Sequence, residues 1–81
     1  MMDDSTILSI KDYGRIVVKL KPLLEQRGMT RNALARAINT RFEVVDKWYN
    51  DQVEKIDADV LARICFVLHC PVEAILEYQF E

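Results

Sequence analysis

The residue types that perform covalent chemistry are few in this chain and poorly placed for it. Cys65 and Cys70 are its only cysteines and His69 its only histidine, so they cannot complete an ordinary four-ligand zinc site. Ser5 and Thr40 have no histidine beside them in sequence, and Cys65 has no basic neighbour to hold a thiolate. Two glycines in 81 residues do not make a phosphate-cradling loop. The carboxylates stand at helix caps and in a loop, where solubility and helix dipoles put them. No catalytic residue, metal site, cofactor or small-molecule substrate is therefore expected, and the two thiols read as reduced and buried. Binding chemistry is what remains, and it concentrates in TRNALARAINTRFEVVDKWYND, from Thr30 to Asp51.

Charge points to that same stretch. The net charge is −2, but residues 16 to 49 carry seven basic against three acidic residues, whereas residues 50 to 81 carry two against seven. A basic front half and an acidic back half suggest one face suited to a polyanion, although the basic excess is modest.

The elements that must position these residues follow from the apolar spacing. Eighty-one residues make one small domain, whose core has to be compact. No apolar run approaches the roughly 18 residues of a membrane span. The acidic start MMDDSTILSI is unlike a secretory signal, so a cytoplasmic protein is expected. Residues 1–14 read as a flexible N-terminal arm and 15–81 as a single domain. Arg15 to Leu20 is β-rich and reads as a short strand or extended arm. Pro22 belongs in the first turn of a helix that starts near Leu20 or Lys21 and runs to Arg27, with Gly28 as its stop.

Thr30 caps a second helix over residues 31 to 38, whose apolar stripe is Ala33, Leu34, Ala37 and Ile38. Asn39 supplies a left-handed end. A third helix runs from Phe42 to Tyr49 on Val45 and Trp48, and Asn50-Asp51 breaks it. Asp57 caps the most apolar helix, with Val60, Leu61, Ile64, Cys65, Val67 and Leu68. Pro71 suits the first position of a short last helix, Val72 to about Leu76. The alternating tail of residues 77–81 suits a strand, which could pair with residues 15–20.

With these helices placed, the chain resembles the Cro/repressor-type, or lambda-repressor-like, helix-turn-helix family over roughly Val17 to Tyr78. The resemblance rests on Leu34-Ala35, on the buried positions Ile38, Val45 and Trp48, on Asn39 where the family usually has glycine, and on the closing IDADVLARICFVLHCPVEAILEY. It implies an all-α, five-helix DNA-binding domain, here with a small two-stranded sheet from about 15–20 and 77–81. It also implies a small bacterial or phage transcriptional regulator of the repressor kind, acting on double-stranded DNA as a homodimer.

A B-form major groove admits one helix, and the preceding helix must cross over it closely enough to brace it, which Ala35 permits. The resemblance assigns base contacts to Phe42, Glu43, Val44 and Lys47. Phosphate contacts fall to Thr30, Arg31 and Asn32 at the start of the second helix, and to Arg41, Asn50 and Lys55 around the third. Ile75, Tyr78 and Phe80 are the expected dimer contacts. Tyr78 and Phe80 could also merely close the core, and Phe42 could cap it. Many relatives present Ser, Thr, Gln or Arg where this chain has Phe42, Glu43, Val44 and Asp46. The alternative use of the same fold is therefore a protein-interaction module, antirepressor-like or antitoxin-like, with an exposed Phe42–Val44 patch.

Overall fold

The computed structural model describes residues 12–80. The part of the expected N-terminal arm up to residue 11 lies outside that range. The chain forms β1 (Arg15–Val18), α1 (Leu20–Arg27), α2 (Arg31–Ala37), α3 (Phe42–Tyr49), α4 (Ala58–Leu68), a 3-10 turn (Val72–Ala74) and β2 (Leu76–Gln79).

The helices start and stop where side chains and backbone conformation dictate. Thr30 Oγ1 accepts from Ala33 N–H at 3.0 Å, and the Asp57 carboxylate accepts from Asp59 and Val60 N–H. Each cap satisfies N–H groups that have no partner inside the helix. All four helices end on a left-handed residue: Gly28 (φ 64°), Asn39 (φ 56°), Asp51 (φ 56°) and His69 (φ 51°). In each case the next residue's N–H returns to a carbonyl five positions back. These bonds are Met29 to Leu24, Thr40 to Ala35, Gln52 to Lys47 and Cys70 to Cys65, the Schellman arrangement.

One core serves every element. Leu20 and Leu24 of α1, Leu34 and Ala35 of α2, Val45 and Trp48 of α3, and Ile64 and Leu68 of α4 are buried together with Val18, Ile38 and Ile75. Ala35 is buried on α2, where its single methyl group takes up little of the space between packed helices. Arg63 donates to the Ile38 carbonyl at 2.9 Å, and Arg27 donates to the Leu68 carbonyl. Two helix ends are thereby tied across the fold.

The expected all-α, five-helix class needs one correction. Among the described residues there are four α-helices, and the fifth is a single 3-10 turn. The cause lies at Ile75, whose side chain is fully buried and whose carbonyl accepts from Lys19 N–H at 2.6 Å. That carbonyl is committed to β1, so Leu76 enters strand pairing instead of extending a helix. The sheet itself is antiparallel, with Ile16 opposite Tyr78 and Val18 opposite Leu76. It lies where the arm and tail were expected to meet, with β2 beginning at Leu76. Gly14 permits the approach at its open end, because a Cβ there would stand 1.9 Å from the Gln79 carbonyl oxygen.

Candidate nucleic-acid interface

Burial of Val45 and Trp48 fixes the rotation of α3 and so decides which side chains it offers outward. Glu43, Lys47 and Asn50 lie at i, i+4 and i+7, all exposed, opposite the buried pair. These three form the outward column.

The two flanks of α3 are occupied. On the α2 side, Arg31 forms an ion pair with Asp46 at 2.6 Å. Its guanidinium also lies over the rings of Tyr49 and Phe42, at 4.7 and 5.4 Å from their centroids. Lys21 of α1 stands over Tyr49 at 5.9 Å. Asn50 donates to the Asp46 carboxylate at 3.1 Å and to its carbonyl at 2.9 Å. On the other flank, Val44 is half-buried against the core. It lines a cavity of about 460 Å³ with Lys47, Trp48, Val53 and Lys55, so Lys47 and Lys55 border one groove beside the outward column.

Of the expected base-contacting residues, Glu43 and Lys47 thus face outward, Phe42 sits under Arg31 with 37% of its surface exposed, and Val44 turns inward. Among the expected phosphate contacts, Asn32, Arg41 and Lys55 are exposed, as is Thr30, whose hydroxyl is engaged as the α2 cap. Arg31 is bound to Asp46, and Asn50 is exposed with its amide directed at the same carboxylate. Ile75 is wholly buried in its own core, which corrects its expected place among the dimer contacts. Its side chain has no surface to offer a second subunit. Tyr78 and Phe80 are 57% and 63% exposed, so they do not close the core.

Sequence reasoning missed the roles of Lys21, Asp46 and Tyr49. Tyr49 shares a helical flank with Phe42 and Asp46 at spacings of seven and three, which was a usable signal. Lys21 carried no local signal, because it reaches the site from another helix.

Asp51, the left-handed residue after α3, ties this helix to the sheet. Its carboxylate accepts from Val18 N–H and from Arg15, each at 2.9 Å. Partial burial disfavours the charged form, but the Val18 N–H, the Arg15 hydrogen bond and the Arg15 charge together outweigh it and lower the pKa below the ordinary carboxylate value. A depressed folded-state pKa contributes stability that is present above the unfolded value and lost as pH falls through the folded one. Asp51→Asn keeps a residue that tolerates left-handed backbone. Its melting temperature should therefore lie below that of the parent at pH 7, and the gap should begin to narrow as pH falls below about 4, closing beneath the lowered folded-state value. A gap independent of pH would mean that the charge is not what matters.

Burial pushes the Cys65 thiol up, and neighbouring Cys70 and the Glu73 charge push it the same way, the reverse of what a thiolate nucleophile requires. Both cysteines are free and half-buried. No group of three or more potential metal-ligating side chains occurs among the described residues, and no helix there is long and apolar enough to cross a membrane.

A short helix packed across a second one that presents an exposed polar column is the arrangement of a helix-turn-helix DNA-binding domain. Residues 19–81 match the family model of the Cro/C1-type HTH DNA-binding domain, and the chain belongs to that family. Among solved structures it is similar to the transcriptional regulator VanUg, with 27% identity over 85% of this chain and 91% of that one and a TM-score of 0.69. A candidate DNA-binding protein from Bacteroides fragilis superposes with a TM-score of 0.69 over 78% of this chain and all of that one. At 14% identity, that second likeness speaks for the fold alone. No curated protein matches the chain.

Proposed function

We propose that this domain is a transcriptional regulator, of the repressor kind, that binds double-stranded DNA sequence-specifically by laying α3 in the major groove and occupying an operator. The observation that carries this reading is the outward column of Glu43, Lys47 and Asn50 on a helix whose opposite side is anchored by Val45 and Trp48. Lys47 can donate to guanine O6 or N7, and Glu43 can accept from a cytosine amino group. Arg41 before α3 and Lys55 after it supply charge for the flanking phosphates, and the first turn of α2 with Thr30 and Asn32 supplies backbone N–H groups.

A single module of this size covers a short site, so the active form is proposed to be a homodimer reading half-sites about one helical turn apart. The exposed Tyr78 and Phe80 on and beside β2 are its proposed contacts. The protein-interaction alternative has less support than the DNA reading: Val44 is half-buried against the core, and Phe42, though 37% exposed, lies beneath Arg31.

Binding to mixed duplex fragments, followed across a salt series, tests the proposal. A complex at low salt that dissolves as salt rises is the expected result. No complex at any salt would overturn it.

A further inference from the structure

Arg31 is the best-placed cation of the α2–α3 face, yet its charge is already answered from within the fold. The Tyr49 and Phe42 rings both lie against the guanidinium, and Asp46 accepts from its Nη1 at 2.6 Å. Asn50 in turn fixes the Asp46 carboxylate from the next turn of α3. The pair is not sealed, since 41% of the Arg31 side chain and 36% of the Asp46 side chain remain exposed. An exposed ion pair is weak and exchangeable, whereas a guanidinium already oriented by two rings loses little further freedom on meeting a planar pair of oxygens. Resting on the DNA reading above, we propose that Asp46 is the affinity-limiting residue of this interface: its carboxylate occupies the site on Arg31 that a DNA phosphate takes in the complex.

Asp46 therefore acts through Arg31, as a positioning residue and a competing anion. It holds the guanidinium at the groove edge in the free domain, and it must give up that contact when a phosphate arrives. The arrangement trades affinity for the backbone of any sequence against a preset arginine geometry.

The isosteric change Asp46→Asn removes the competing charge while keeping an acceptor for Arg31 and Asn50. Because phosphate contacts are independent of sequence, the probe is a mixed-sequence 24-base-pair duplex, with fluorescence anisotropy followed over a salt series. Asp46→Asn should bind about threefold to fivefold tighter than the parent at low salt, the range an exposed ion pair allows. Its plot of log affinity against log salt should run parallel to the parent's, because Arg31 meets the same phosphate in both complexes, whereas one added contact would steepen it by about 0.9. Adding Arg31→Ala to Asp46→Asn should abolish the gain in affinity, whereas Arg31→Ala in the parent should cost less than it does in the Asp46→Asn background.

Unchanged or weaker binding by Asp46→Asn overturns the inference and leaves the DNA reading standing. So does a gain that survives Arg31→Ala, because that is mere relief of repulsion. Failure of parent and variant alike to bind at low salt removes the DNA reading and this inference with it.

Discussion

Trp48→Ala is expected to lower the melting temperature by about 15–30 °C. Trp48 is 3% exposed and shares one face of α3 with the fully buried Val45. Truncating a buried tryptophan costs about 3–5 kcal/mol, through lost transfer energy and an unfilled cavity. For a domain of this size each kcal/mol moves the midpoint by roughly 4–8 °C. Thermal unfolding followed by far-ultraviolet circular dichroism measures the effect. The size of the loss matters for function, because Trp48 and Val45 are the buried residues of α3 and set the side on which the outward column stands. A Trp48→Ala protein that melts within a few degrees of the parent would mean that α3 is anchored by something else.

Lys47→Glu should weaken DNA binding by about tenfold to a hundredfold with no change in the helical spectrum. Lys47 is exposed in the middle of the outward column and borders the groove that also holds Lys55. One well-placed base or phosphate contact is worth about 1–3 kcal/mol. Reversing the charge adds repulsion from the phosphates on either side. Anisotropy titrations of parent and variant at one salt concentration give the ratio. An unchanged affinity would place the groove-facing surface somewhere other than α3.

Much of this architecture was legible in local sequence, because it depends on local causes. Thr30 and Asp57 cap helices by bonds that span two or three residues. Gly28 and Asn39 announce left-handed ends by residue type, and Val45 with Trp48 announces the buried face of α3 by spacing. His69 did not announce itself as Gly28 and Asn39 did, since histidine marks a helix end less strongly than glycine or asparagine does. The last helix failed for a similar reason. Pro71 and the apolar residues after it suit a helix, but the Ile75 carbonyl is claimed by Lys19, 56 positions earlier in the chain.

The site was legible as a location more than as a set of roles. Glu43 and Lys47 face outward as expected, while Val44 turns toward the groove beside Trp48. Arg31 was expected at a phosphate, and its pairing with Asp46 joins residues on different helices that no local pattern connects. Ile75 was expected among the dimer contacts, and its inward place goes with the bond of its carbonyl to Lys19 beside the sheet.

The central claim is that the α2–α3 face meets the DNA backbone with the cations that flank the outward column. The slope of log affinity against log salt for the intact domain tests it most directly. Arg41 and Lys55, with Arg31 once Asp46 releases it, predict a slope of about −3 per domain, at about 0.9 for each phosphate neutralised. A slope near zero, or no measurable binding at low salt, would contradict the account.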